Sequence, residues 1–227
     1  MYQGHDVCGV TGYGTQMGDD PPARLDDDAL HAGVDRLVAR DTNLAGIVAR
    51  RGPPRLWARE PGFATLVHII LEQQVSLRSA EAAMERLVAA AGEISAAAIV
   101  AAGPERLIPA GLTRQKTRYL LGLSQGVLDG RLDLDALALA DDQTARQQLL
   151  GFAGIGPWTA DIYLLVALGR PDIWPVGDLA LAMAMRRAKR LAGVPRSEEQ
   201  LGMAEMWRPL RAVAARILWH SYLAGER

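Results

Sequence analysis

The chain has 227 residues, 49% of them apolar, and a formal net charge of −1. It can therefore bury a sizeable core, and it is neither a disordered chain nor a uniformly basic nucleic-acid coat. A single cysteine, Cys8, excludes an intramolecular disulfide and a cysteine-held iron–sulfur cluster, and the four histidines (His5, His31, His68, His220) are too scattered for a zinc site.

The low cysteine usage fits a reducing, cytoplasmic compartment. No apolar run is long enough to span a bilayer, so no membrane partner is expected, and the first residues lack a signal-peptide pattern. Charge is unevenly spread. From Arg186 onward nine basic residues face four acidic ones; this is either a local basic face or ordinary solvated helix surface.

Residues 1–24 are rich in Gly, Thr, Asp and Pro without periodicity and read as a loose arm; residues 25–227 read as the folded domain. Leu30, Val34, Leu37 and Val38 predict an amphipathic helix from Ala29 to Arg40. A shorter one follows from Leu44 to Ala49, and Pro53-Pro54 breaks the chain. Phe63 to Gln74 is apolar nearly all round, as buried helices are. It ends in Glu72-Gln73-Gln74-Val75-Ser76, which alone reads as an ordinary terminus with Ser76 capping a helix from Arg78 to Ala91.

Ile94 to Val100 and Pro104 to Ile108 predict two short helices. Thr113 is placed to cap a helix running to Leu128 with Tyr119, Leu120, Leu123 and Val127 inward; Arg114, Lys116 and Arg118 surround its start. Leu132 to Ala140 is a linker or short helix, and Asp141 or Asp142 caps the segment after it.

The most informative stretch runs from Leu150 to Asp178. Gly154-Ile155-Gly156 is a turn between two helical segments, where glycine serves positive φ or close approach to a partner. Pro157 suits the first position of the following helix, which carries Trp158, Ile162, Leu165, Val166 and Leu168. Gly169 ends it, and Pro171 and Pro175 keep the next stretch extended. Asp178 then opens a helix to Leu191. A Gly-x-Gly turn feeding a helix N-terminus suits a phosphate. Asp178 has two readings: a helix N-cap, or a catalytic carboxylate aimed at charge developing on a substrate. Beyond it come a turn at Gly193-Val194-Pro195, a capped start at Ser197-Glu198-Glu199-Gln200, and a last helix from Met206 to Leu223 with Trp219 and Tyr222 in the core.

The hairpin Gly154-Ile155-Gly156 with Thr159 and Ala160, followed by Asp178, resembles the helix-hairpin-helix DNA glycosylase superfamily, and within it the 3-methyladenine glycosylase II group. Gln73-Gln74-Val75-Ser76, the Gly111–Lys116–Tyr119-Leu120 spacing and Trp207-Arg208-Pro209-Leu210-Arg211 match further family patterns in family order. The resemblance spans Leu30 to Tyr222. It implies an all-α fold of two helical subdomains with a cleft between them, without the extra N-terminal α/β domain of some members.

The same resemblance implies roles. Asp178 would be the catalytic carboxylate. Trp158, Gln73, Ile162, Tyr163 and Leu210 would form or border the base pocket. Gly154, Ile155, Gly156, Thr159, Gln74 and Lys116 would meet DNA, with Gln74 in the region inserted in place of the extruded base. The backbone carbonyls of Leu150, Phe152 and Gly154 would hold a structural Na+ or K+; no other cofactor is implied. Trp158 stands where relatives with lyase activity carry a lysine, so the expected reaction is monofunctional hydrolysis.

Ile162 and Leu210 stand where broad-range relatives place aromatic residues, which points to a less aromatic pocket. The expected activity is excision of alkylated purines from damaged double-stranded DNA by a monomer at the bacterial nucleoid. Alternatives are a monofunctional glycosylase for deaminated or etheno bases, and a non-catalytic, structure-specific DNA-binding module.

Overall fold

A computed structural model describes residues 23–225. The N-terminal arm, apart from its last two residues, lies outside them, as do Cys8 and His5. Every regular element among the described residues is helical. In chain order they are α1 (Asp27–Val38), α2 (Thr42–Arg51), α3 (Phe63–Glu72), α4 (Leu77–Ala91), α5 (Ala96–Leu107), α6 (Arg114–Leu128), α7 (Leu134–Leu139), α8 (Asp142–Leu150), α9 (Pro157–Val166), α10 (Leu179–Ala188), α11 (Ser197–Ala204) and α12 (Arg211–Leu223), with one 3-10 turn (Glu205–Trp207) before α12.

Short polar residues start most of these helices. Asp26, Asp41, Ser76, Ser95, Thr113, Asp133, Asp141 and Asp178 each accept a backbone N–H of the first turn that would otherwise lack a partner. Of the two candidates at the start of α8, Asp141 is therefore the cap. The two short helices expected around residue 100 are the halves of α5, broken at Gly103 (φ 60°) with Pro104 starting the second half. The expected helix from Met206 to Leu223 is interrupted, because Pro209 has no N–H to donate. Trp207 closes the 3-10 turn and α12 begins only at Arg211. No single helix among the described residues is long and apolar enough to cross a membrane.

The chain forms two interleaved subdomains. α1, α2, α10 and α12 pack on one another, with α11 joined through the 3-10 turn; α3 to α6 form the other group, and α7 packs on α8 and α8 on α9. α3 and α9 pack together and carry the apolar core across the junction. The chain leaves the first group after α2 and returns to it at α10. Asp178, at that return, therefore faces elements from the other half.

Buried polar groups fix this arrangement. Arg216 is 1% exposed and meets no carboxylate; its guanidinium donates to the carbonyls of Leu56, Leu165 and Ala212 at 2.7–3.2 Å, and burial pushes its pKa down to about 10. Asp41 caps α2 through Asn43 and Leu44. It also accepts the Trp207 indole N–H at 2.8 Å and lies 3.7 Å from Lys189. One carboxylate thus ties α2, α10 and the segment before α12 together.

Burial works against the charged form of Asp41, but the Trp207 bond, the two backbone N–H groups and Lys189 outweigh it and hold its pKa below the usual carboxylate value. A depressed carboxylate pKa adds stability that is complete above the unfolded value and vanishes as pH falls through the folded one. Asp41→Asn should therefore be less stable than wild type at neutral pH, and the gap in denaturant unfolding should close below about pH 3. Gly154 carries φ +91°, and a Cβ there would run into the Tyr119 ring, with Tyr119 Cβ only 2.7 Å away. Gly154→Ala should cost roughly 2–4 kcal/mol in equilibrium unfolding.

Candidate active site

The cleft between the subdomains has a volume of about 1100 Å³. Residues 72–74, 152–159 and 176–180 border it, with Gln115, Tyr119 and Ser197. It therefore gathers the end of α3, the hairpin between α8 and α9, and the start of α10.

The two hairpin glycines have different causes. Gly154 is required by the fold, through its positive φ and its contact with Tyr119. Gly156 has φ −88°, and a Cβ there would meet nothing within 4 Å. The fold itself does not need glycine at that position; a group approaching closely from the cleft would. Gly156 is also the N-cap of α9, and no side chain caps that helix. Its first N–H groups are left at the cleft edge, where a phosphate oxygen is the fitting acceptor.

Gln73 joins the hairpin to α3. Its Nε2 donates to Gly154 O at 2.7 Å and to Thr159 Oγ1 at 2.8 Å. Beside it, Gln74 is exposed and held at φ 59°, a left-handed conformation that is costly for a residue with a side chain. α3 ends at Glu72, two residues before the sequence pattern does, because Gln73 leaves helical geometry at ψ 124°; Gln74 then borders the cleft.

Two residues expected to contact DNA have structural work instead. Thr159 is 2% exposed and uses its hydroxyl on Gln73. Lys116 Nζ donates to the carbonyls of Leu71 and Gln73 at 2.7 and 3.1 Å, filling acceptors left open at the end of α3, and burial lowers its pKa. Its ammonium supports Gln73 from behind.

Asp178 satisfies both readings of its sequence position. Oδ1 caps α10 by accepting Leu181 N–H at 2.7 Å, and the same carboxylate borders the cleft. Oδ2 accepts the Trp158 indole N–H at 3.0 Å, and Oδ1 accepts that of Trp219 at 3.1 Å. No lysine or arginine among the described residues forms an ion pair with it. Asp161, the nearby carboxylate on α9, is by contrast 3% exposed and ion-paired with Arg146 at 2.6 Å. Arg211 of the Trp-x-Pro-x-Arg segment grips Asp172 at 2.9 and 3.1 Å, bracing the loop that leads to Asp178.

Trp219, assigned to the core from its sequence, packs half-buried against the core and also donates its indole N–H to Asp178. Its signal was present, since Trp carries one N–H that needs an acceptor when half-buried. The reverse holds for Ile162, Tyr163 and Leu210, none of which borders the cleft. Ile162 and Leu210 are 7% and 8% exposed within the core. Tyr163 is fully buried, and its hydroxyl accepts Gly62 N–H at 2.9 Å on the far side of α9. Two of the three carbonyls expected to surround a cation each accept one hydrogen bond within the chain, which leaves a second lone pair on each oxygen. Gly154 O is turned onto Gln73, and Phe152 O accepts Ile155 N–H at 3.0 Å.

Known proteins resemble this chain in sequence and in fold. A Mycobacterium tuberculosis protein described as a bifunctional transcriptional activator and DNA repair enzyme is 32% identical over 209 residues, 86% of this chain. The chain spans 40% of that relative's length and 58% of that of a Bacillus subtilis relative, 29% identical over 70% of this chain. The crystal structure of a DNA-3-methyladenine glycosidase from Bacillus halodurans matches with a TM-score of 0.73 at 28% identity, covering 86% of this chain and 91% of that one. A Schizosaccharomyces pombe 3-methyladenine DNA glycosylase in complex with abasic DNA shares the fold, with a TM-score of 0.74 at 23% identity over 83% of this chain and 95% of that one. The family described as HhH-GPD superfamily base excision DNA repair protein matches residues 67–211, and the chain belongs to it.

Proposed function

We propose that the protein is a monofunctional DNA glycosylase that removes alkylated purines of the 3-methyladenine type from double-stranded DNA. The observation that carries this reading is the position of an unpaired carboxylate, Asp178, in the same cleft as the Gly154-Ile155-Gly156 hairpin and the kinked Gln74 segment. The names of the relatives support the substrate class.

The glycosidic carbon is unreachable inside a duplex, so the damaged nucleotide must leave the stack. The N–H groups at the start of α9 hold a backbone phosphate without reading sequence. The Gln74 segment fills the gap in the duplex, and the cleft of about 1100 Å³ has room for the base. The C1′–N bond then breaks and its electron pair leaves with the base. Positive charge develops on the sugar, and the Asp178 carboxylate opposes it. Water adds at C1′, loses a proton, and leaves an abasic site. An N3- or N7-alkylated purine already carries positive charge and departs as a neutral base, so this site needs no group that protonates the leaving base.

Lyase chemistry requires an amine that attacks C1′. The chain has two lysines, Lys116 and Lys189. The first is bound to the end of α3 and the second lies beside Asp41 and 5.1 Å from the Trp207 ring. Neither borders the cleft, and the position after the hairpin is held by Trp158, whose N–H is used on Asp178.

On duplexes carrying one defined lesion, we expect strand breaks only after alkali treatment; a borohydride-trapped protein–DNA adduct would overturn the monofunctional reading. Asp178→Asn should lose at least about 100-fold in single-turnover excision while retaining duplex affinity. Lys116→Met should lower both Tm and excision rate but leave the salt dependence of duplex binding unchanged. A slope reduced by about one unit would instead make Lys116 a phosphate contact.

A further inference from the structure

A second cavity, of about 200 Å³, lies where α2, α10 and α12 meet. Three arginines border it, Arg50 on α2, Arg187 at the end of α10 and Arg190 just beyond, together with Thr42, Asn43 and Ser221. It is separate from the glycosylase cleft, with which it shares no residue.

The charge in this cavity is not balanced by the described residues. No carboxylate borders it. Arg50, Arg187 and Arg190 form none of the ion pairs that occupy the other arginines, such as Arg146 with Asp161 or Arg211 with Asp172. The nearest carboxylate in sequence, Asp41, is fully engaged by α2, Trp207 and Lys189. Arg187 Nη1 is buried and has no hydrogen-bond partner, although the guanidinium lies 6.0 Å from the Tyr222 ring centre. Arg190 adopts φ 54° as the left-handed residue that closes the C-terminus of α10, where Leu191 N–H donates to Arg186 O at 2.9 Å. A buried N–H without an acceptor is costly, and three like charges at one cavity repel one another. A multivalent oxyanion removes both costs at once, and guanidinium groups match its geometry.

We propose that this cavity is an anion site for a phosphate group. Its small, partly enclosed form suits a single phosphate better than a long stretch of backbone. The group comes either from a free phosphate-bearing anion or from one phosphate of a bound duplex, and the chemistry of recognition is the same.

The test uses the full chain and two probes. The first is inorganic phosphate, with Tm measured against sodium chloride at equal ionic strength. We expect about 20 mM phosphate to raise Tm by about 2 °C more than chloride, and Arg187→Gln to abolish the difference. The second is undamaged duplex DNA, with affinity measured across salt concentration. If the phosphate belongs to the duplex, Arg187→Gln reduces the slope by about one unit while the phosphate-specific Tm rise is absent. Arg190→Gln, at an exposed position, repeats both measurements should Arg187→Gln fold poorly. Excision of a lesion in a short duplex by Arg187→Gln separates this site from the cleft, because the free-anion arm requires no glycosylase activity at all. Equal Tm values in phosphate and chloride together with an unchanged salt slope in both variants would overturn the proposal.

Discussion

Three N–H groups converge on the carboxylate of Asp178, and each comes from a different helix: the backbone of Leu181 on α10, the indole of Trp158 on α9 and the indole of Trp219 on α12. Hydrogen bonds to a charged acceptor contribute about 1.5–3 kcal/mol each, so the group is fixed in position as well as in rotamer. All three donors are neutral. A lysine or arginine at the same distance would hold the carboxylate equally well but cancel its charge. Neutral donors hold the group without placing a counter-charge beside it, which is what the proposed opposition to a cationic sugar requires. The cap fixes the backbone and one oxygen, the indoles hold the rest, and the catalytic role proposed for Asp178 would use this same arrangement.

The opposite wall of the cleft is wired through amides. Lys116 closes the carbonyls at the end of α3, Gln73 continues from there to Gly154 and Thr159, and the hairpin is held from inside. The consequence is a division of labour within a few residues. Gly154 O, Thr159 Oγ1 and the Lys116 ammonium face inward and are consumed by structure. Gly156, the first N–H groups of α9 and Gln74 remain on the cleft side. A hairpin offering the same outward groups without this internal bracing would have to order itself on binding, at an entropic cost to affinity.

The sequence showed what depends on local chain chemistry. Helix starts were readable from Asp, Ser and Thr, the hairpin from Gly154 and Pro157, and Asp178 from its place after the loop. What it hid depends on which side of a helix a residue faces once the helices have packed. Ile162 and Tyr163 follow Trp158 on α9, but only Trp158 reaches the cleft, because α9 is buried almost all round and its apolar pattern marks no single face. Lys116 carries a charge that suggests DNA, yet it caps a helix distant in sequence. Trp219 looked like core because its partner is 41 residues away. Pairings of that kind leave no local trace in a single chain.

Composition constrains the chemistry from another direction. A protein that grips DNA would be expected to carry a positive surplus, and this chain has a net charge of −1. The phosphate contact proposed at the hairpin would need no such surplus, since backbone N–H groups bind phosphate through dipoles that do not enter the formal charge. The basic residues are, moreover, almost all arginine. A guanidinium stays protonated and cannot act as an amine nucleophile, whereas a buried lysine readily can. The chain has only two lysines, and each is tied to a structural partner. No lysine among the described residues borders the cleft, and the proposed hydrolysis without strand cleavage rests on that feature.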